Sequence, residues 1–324
     1  MGAVRPICSQ ELVTVKETEP EPSTISPPRG RRYIGKSVAR LEDPPLVTGG
    51  ARFVADLNIP GQLHARIVRS AHACGTIKEI DTEAARDADG VIAVWTADDL
   101  AHVPNIPFRA TAIQGLTPYT QPPLARGRVR YVGEPVAVVI AEDAYVAEDA
   151  AELVLVDIDP EEPCLDASGD PKEFMPGLSC EPVVIKKGYG DVDAVMESAH
   201  EIVELDLSIG RHSAIPLETR GLIGRYDEAR GVLELHGAAK RPHWNRDQLA
   251  ELFGLSPSRI ELYENSVGGG FGVRGELYPE DLIVCHAALT LKRPVKWIED
   301  RREHLMAANQ SREQRHLIRA AVDR

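Results

Sequence analysis

Ser266-Val267-Gly268-Gly269-Gly270-Phe271-Gly272-Val273-Arg274-Gly275 places four glycines within five positions, between two segments of regular apolar patterning. Glycine is entropically costly in ordered structure, so such density implies several positive φ angles or the close approach of something bulky to a bare backbone. Upstream, Ile260-Glu261-Leu262-Tyr263-Glu264 reads as a strand feeding the loop. Downstream, Pro279 with Glu280 and Asp281 in a first turn reads as the start of a helix running through Leu282 to Leu289. Consecutive N–H groups in such a turn form an anion-binding concavity, which suits a ligand rich in oxygen acceptors. A tight connection without a ligand is the competing reading.

Working outward, Leu249, Leu252 and Phe253 carry a helical stripe closed by Gly254 and Pro257. Strands are expected at Leu222–Tyr226, Val232–His236 and Val295–Ile298. A helix follows Asp300, whose spacing to Glu303 is that of a capping box. Ala194, Val195, Ala199 and Ile202 suggest a short helix leading into the alternating strand Val203–Leu207, and Ala320 to Arg324 read as a strand just begun. Towards the N-terminus, Leu63, Ala65 and Ile67 alternate with His64 and Arg66, Val136 to Ile140 form a continuous buried run, Asp143 to Leu153 are helical, and Leu153 to Asp157 are strand-like. The class is α+β. Residues 1–32, rich in Pro, Glu, Ser and Thr, are expected to be a disordered arm. Residues 33–160 form a first domain, 161–185 a proline-rich linker, and 186–324 the opening part of a second domain.

With 324 residues the chain can bury more than one core. A net charge of −13 argues against nucleic acid or an anionic membrane as partner, since phosphate binding needs clustered Lys and Arg. No run has the length of a membrane span and no secretory pattern opens the chain, so the expected location is cytoplasmic. Five scattered cysteines without C-x-x-C spacing support neither a disulfide framework nor a metal–sulfur cage, and no residue is read as a direct metal ligand. Gly30-Arg31-Arg32-Tyr33-Ile34-Gly35-Lys36-Ser37 matches the phosphate-loop pattern G-x-x-x-x-G-K-S. It follows Ser26-Pro27-Pro28-Arg29 rather than a buried strand, and Pro44-Pro45 restrict the helix that should receive a phosphate, so a nucleotide site is the weakest of the readings.

Four stretches together resemble the molybdenum hydroxylases (xanthine dehydrogenase, aldehyde oxidase and carbon monoxide dehydrogenase), in the N-terminal part of the large molybdopterin-binding subunit. They are Tyr33 to Asp43 with Leu46-Val47-Thr48-Gly49, Leu63 to Ser70, Val132-Gly133-Glu134-Pro135-Val136-Ala137, and Val267 to Gly272 continuing to Pro294-Val295-Lys296-Trp297. The likeness runs from about Tyr33 to the last residue. It implies an α/β hammerhead domain followed by the beginning of a mixed α/β molybdopterin-binding domain.

The resemblance also implies a molybdenum–molybdopterin cofactor, with the cytosine dinucleotide as one form, and an oxidation of an N-heterocycle or an aldehyde that takes its oxygen from water. Carried over, Gly269, Gly270, Phe271 and Gly272 hold the cofactor. Lys240 stands where many relatives have a Gln donor, and Arg274 either binds a cofactor phosphate or neutralises Glu276. The purine-oxidising members carry a substrate-binding Glu four residues past the loop phenylalanine; Gly275 stands there and Glu276 follows, so purine specificity is not inherited. The family's general-base Glu is expected beyond the C-terminus, leaving no catalytic residue here and an isolated chain without turnover. The implied partners are a second molybdopterin-binding chain, a 2Fe-2S subunit and an FAD subunit. A non-catalytic fragment or scaffold of the family is the alternative. His212, His243 and Trp244 are read as packing or capping side chains, and Glu218 as a structural carboxylate at least as readily as a functional one.

Overall fold

The computed structural model describes residues 34–108, 113, 115–166, 168–237 and 239–324. The expected arm at 1–32 lies outside them. The chain falls into two units, Met1–Ala51 and Arg52–Arg324. In the first, α1 (Asp43–Thr48) begins on Pro44 and Pro45, which in a first turn lose no hydrogen bond, and it ends at Gly49 in the left-handed region. No helix follows Gly35-Lys36-Ser37 directly, so the phosphate-loop pattern lacks the N-terminal amides it requires.

In the second unit the elements run in order: β1 (Leu63–Arg69), β2 (Gly75–Asp81), α2 (Glu83–Arg86), β3 (Val91–Trp95), β4 (Arg128–Val129), β5 (Pro135–Ala141), α3 (Ala144–Glu152), β6 (Leu155–Pro160), β7 (Glu173–Met175) and β8 (Leu178–Ser179). They continue with α4 (Val192–Ser198), β9 (Glu201–Ile209), β10 (Gly221–Asp227), β11 (Val232–His236), α5 (Pro242–Phe253), β12 (Ile260–Tyr263), α6 (Pro279–Leu291), β13 (Val295–Ile298), α7 (Arg301–Ala307) and β14 (Gln314–Val322). The helices and strands are mixed, as the α+β reading expects. Three strand expectations shift: β6 starts two residues later than read, β9 extends to Ile209, and the terminal strand is β14, fully paired with β9 from Gln314 onward rather than just begun.

The central sheet has the order β12-β11-β10-β13-β1-β5-β3. It draws β1, β3 and β5 from before the 161–185 connection and the other four from after it. The joint is the parallel pairing of β1 with β13, Leu63 opposite Val295 and His64 opposite Lys296. β5 is buried at every position, which explains its unbroken apolar run. A smaller sheet, β4-β2-β6, packs Val129 and Ile158 with Val136 of β5 into a satellite core.

α6 fixes the position of the loop before it. From Leu282 to Ala288 every residue but one is fully or almost fully buried, and the helix lies close on β10, where Gly224 makes room. A Cβ at Gly224 would stand 3.0 Å from Val284 Cγ1 and 3.1 Å from Val284 O. The helix N-terminus is held by a reciprocal cap: Tyr278 N donates to Asp281 Oδ2 at 2.7 Å, with Pro279 at the first helical position.

Candidate functional site

Between β12 and α6 the loop 266–278 turns through a 3-10 segment, Val273–Gly275. Gly269 and Gly272 have φ of 106° and 100°, the left-handed conformation that the glycine density implied, and Phe271 is held at φ 46°. Phe271 is 79 % exposed, so it is no core aromatic.

The loop's carbonyls are turned inward and bonded. Gly268 O accepts from Glu218 N at 3.2 Å, Gly269 O from Arg274 Nε at 2.9 Å, Gly270 O from Val273 N at 2.9 Å, and Gly272 O from Gly275 N at 3.1 Å. Val273 O accepts from the Tyr278 hydroxyl at 2.8 Å. Its amides differ. Gly268 N donates to Glu218 Oε2 at 2.8 Å, but the N–H groups of Gly269, Gly270, Phe271 and Gly272 have no acceptor among the described residues. Four successive amides thus stand clear of the protein's own acceptors, a concavity suited to anionic oxygens. Two glycines show what the cradle excludes. A Cβ at Gly268 would meet Glu218 Cβ at 2.4 Å, so the protein itself forbids a side chain there. At Gly270 it would meet nothing closer than Arg274 Cδ at 4.0 Å, and the φ is ordinary. Neither packing nor backbone geometry within this chain requires a glycine at 270, which fits a bare face kept for an outside group.

Arg274 braces the loop from beneath. Its Nη2 donates to Glu218 Oε2 and O at 2.9 Å each and to Thr219 O at 3.0 Å, so the ion pair forms with Glu218. Burial lowers its pKa from the usual guanidinium value, with Glu218 opposing. Lys240 is brought to the same loop: its amide donates to Arg274 O at 2.9 Å, and its stem lies 3.5 Å from where a Gly275 Cβ would be. Lys240 is exposed and Glu276 half-buried. Of the residues read as packing or capping, Trp244 packs against the main core beneath Arg241, whose Cζ is 5.0 Å from the ring, His212 is tied through its backbone to Ser311, and His243 is exposed.

A buried ionic network underlies this arrangement, and it was not legible in the sequence. Arg69 of β1 binds Glu280 at 2.7 Å and Glu303 at 2.9 Å. Arg220, at the head of β10, binds Glu280 at 3.2 Å and Glu299 at 2.5 Å, and lies over the Tyr278 ring at 3.8 Å. His304 sits between two acceptors, Glu299 Oε2 and Ala214 O, each at 2.8 Å. Burial works against the Glu280 carboxylate, yet Arg220 and Arg69 outweigh it and hold it down to about 2. Burial likewise opposes the Arg220 charge, while Glu280 and Glu299 raise it above the ordinary value. For Asp281 burial dominates and pushes the carboxyl up to about 6. The available signal was charge next to apolar strand ends, as in Glu218-Thr219-Arg220 before β10 and Glu299 after β13. In the sequence Glu280 and Glu303 looked like helix-end residues only.

Beside the loop is a small cavity of about 50 Å³, lined among others by Arg220, Asn245, Arg274, Glu276, Asp281 and Trp297. No group of three or more His, Cys, Asp or Glu side chains suited to a metal occurs among the described residues, and no helix among them is long and apolar enough to cross a membrane.

Residues 48–162 match the aldehyde oxidase and xanthine dehydrogenase a/b hammerhead domain, and residues 178–324 match the molybdopterin cofactor-binding domain. The chain is 39 % identical over 309 residues to the nicotine 6-hydroxylase large subunit of Paenarthrobacter nicotinovorans, covering 93 % of this chain and 38 % of that one. It is 37 % identical over 298 residues to the 6-hydroxypseudooxynicotine dehydrogenase complex subunit gamma of the same organism, covering 90 % and 37 %. The crystal structure of quinoline 2-oxidoreductase from Pseudomonas putida 86 superposes with a TM-score of 0.80 at 34 % identity, over 89 % of this chain and 37 % of that one. The chain therefore spans less than two fifths of the length of these relatives.

Proposed function

The chain belongs to the molybdenum hydroxylase family, and from that membership we propose that it is the cofactor-cradling part of an enzyme that oxidises a nitrogen heterocycle, the added oxygen coming from water. The observation that carries the reading is the set of four unaccepted amides at Gly269–Gly272 beside a glycine at 270 that the protein itself does not require. Those amides hold the molybdenum–molybdopterin group by its anionic oxygens. Gly270 keeps the face bare, and Gly269 and Gly272 supply the turn. When bound, that group supplies the two-electron oxidation and activates water.

The chain's own residues position it. Arg274 keeps the loop carbonyls inward through Glu218, so the amides point the other way. Lys240, exposed beside the loop, offers an ammonium donor to an anionic oxygen of the group. Glu276 lines the cavity, where it can accept a hydrogen bond from a substrate N–H. Phe271, exposed on the loop, provides an apolar face against a flat substrate. A nitrogen heterocycle is preferred to an aldehyde because nicotine and quinoline are named for two of the relatives. The same reading includes a heteromeric cytoplasmic complex: further molybdopterin-binding sequence corresponding to the part of the relatives that this chain does not match, and 2Fe-2S and FAD subunits. The cytosine dinucleotide form of the cofactor extends the anionic surface that such a cradle accepts.

The test is the assembled complex purified from its host, with metal and pterin measured together. Stoichiometric molybdenum that falls with Gly270→Val, while the complex stays folded and assembled, is the expected result. Wild-type complex without molybdenum or pterin would leave a scaffold of the family and sink the proposal.

A further inference from the structure

The sequence offered no paired cysteines, yet the fold brings two of them together. Cys164 Sγ and Cys180 Sγ stand 3.1 Å apart as free thiols, sixteen residues distant in the chain. The approach is built by local structure. Asp166 folds the chain back through bonds from Ser168 N at 2.8 Å and Ser168 Oγ at 2.7 Å. The β7–β8 hairpin then returns it, and Cys180 is fixed to Lys172 at two points: Cys180 N donates to Lys172 O at 2.8 Å and Lys172 N donates to Cys180 Sγ at 3.1 Å. The hairpin is seated on the preceding domain. The Tyr119 hydroxyl donates to Ser179 O at 2.8 Å, Tyr119 stacks on Phe174 at 5.8 Å, and Arg128 lies over Phe174 at 5.8 Å. Cys164 is exposed and Cys180 half-buried, so a small reagent can reach them, whereas Cys285 is wholly buried.

We propose that Cys164 and Cys180 are a redox-modifiable dithiol that closes to a disulfide and clasps the connection between the two domains. The oxidant is a low-molecular-weight disulfide. One cysteine thiolate attacks it and releases one small thiol, leaving a mixed disulfide. The second cysteine thiolate attacks the protein sulfur of that mixed disulfide and releases the other small thiol. Two protein thiols are oxidised, one small disulfide is reduced to two thiols, and those thiols carry away the two protons. A bonded pair needs its sulfurs roughly 2 Å apart, so closure asks for a shift of about 1 Å, within reach of side-chain rotation. The ring spans the joint itself, since the matched domains end at residue 162 and begin at residue 178. Closing it ties Cys180, at the start of the second domain and beside a hairpin seated by Tyr119 and Arg128, back to Cys164 just past the end of the first. The inference does not depend on the molybdenum reading.

The experiment uses the complete complex, reduced, exchanged into oxidised glutathione, quenched with acid and alkylated before digestion and mass measurement. The expected product is a Cys164–Cys180 linked peptide with Cys285 still alkylatable after unfolding. Trypsin cleavage at Lys172 should then leave two pieces that separate only after reduction. Cys164→Ser, exposed and outside the cofactor cradle, should keep basal activity and instead trap glutathione on Cys180. Stable glutathione on both cysteines of the wild type, or both thiols unmodified, would overturn the proposal.

Discussion

At the residue scale the site depends on a division of labour among glycines. Gly269 is demanded by backbone, since its φ is 106° and a Cβ would meet Pro216 Cβ at 3.0 Å, whereas Gly270 is demanded by neither packing nor φ. Gly269→Ala should therefore lower the unfolding midpoint. Gly270→Ala should leave that midpoint unchanged and reduce molybdenum content, a contrast read by thermal unfolding and metal analysis of the same preparations. Arg220 presents the opposite situation, a cation that the interior cannot lose. Replacing it by Met leaves Glu280 and Glu299 without a major buried partner, and breaking such a pair costs about 3–5 kcal/mol. Urea unfolding of the complex should show a destabilisation of that order for Arg220→Met and a smaller one for Arg220→Lys. The glycine cluster was legible as a ligand-facing loop because its composition is abnormal in a single window. The Arg220–Glu299 pair was not legible, because its members lie 79 residues apart, and neither was His304, whose second acceptor, Ala214 O, lies 90 residues away.

At the element scale α6 determines how the loop is presented, and its titrating groups make its stability sensitive to pH. Burial, aided by the ring of His102 at 4.9 Å, lowers His286 from 6.5 to about 4, so it folds in neutral form. A depressed folded pKa means stability fully present above pH 6.5 and lost as pH falls towards 4. Asp281 acts in the opposite sense. Its folded pKa of about 6 exceeds 3.8, so protonation below pH 6 favours the folded state. His286→Leu should remove the first effect and keep the second, giving urea midpoints that fall less between pH 6.5 and 4 than in the wild type. An equally steep fall would show that His286 is not the titrating group. The helix itself was readable from Pro279, the acidic first turn and the apolar run. Its burial around almost the whole circumference was not, since periodicity cannot distinguish a continuous apolar run facing one layer from one enclosed by several.

At the scale of the whole molecule, two associations join distant chain segments. One is the parallel β1–β13 pairing, which draws residues from both sides of the 161–185 connection into one sheet. The other is the β9–β14 ribbon. On one face Asp206 pairs with Arg315 and Glu204 with Arg319, while Val203, Leu205, Leu207, Ile209 and Ile318 on the other face are exposed. A contiguous apolar face of this kind binds hydrophobic dyes and promotes association. Leu205→Thr with Leu207→Thr should reduce dye fluorescence and light scattering of the chain expressed alone, without altering its circular dichroism. Unchanged dye binding would mean that the face is already covered.

Local windows of the sequence determined the α+β class, most elements from β1 to α7, the glycine loop and the family resemblance. Propensity, capping and composition act over a few residues and leave their trace in order. Only the tertiary structure decided that the loop's carbonyls are consumed while four amides stay free, that Arg274 turns towards Glu218, that Arg69 and Arg220 share Glu280, and that Cys164 meets Cys180. These depend on hydrogen bonds and ion pairs whose partners are chosen by packing across long sequence separations. A buried charge or an unaccepted amide acquires its meaning only from what stands opposite it once the chain has folded.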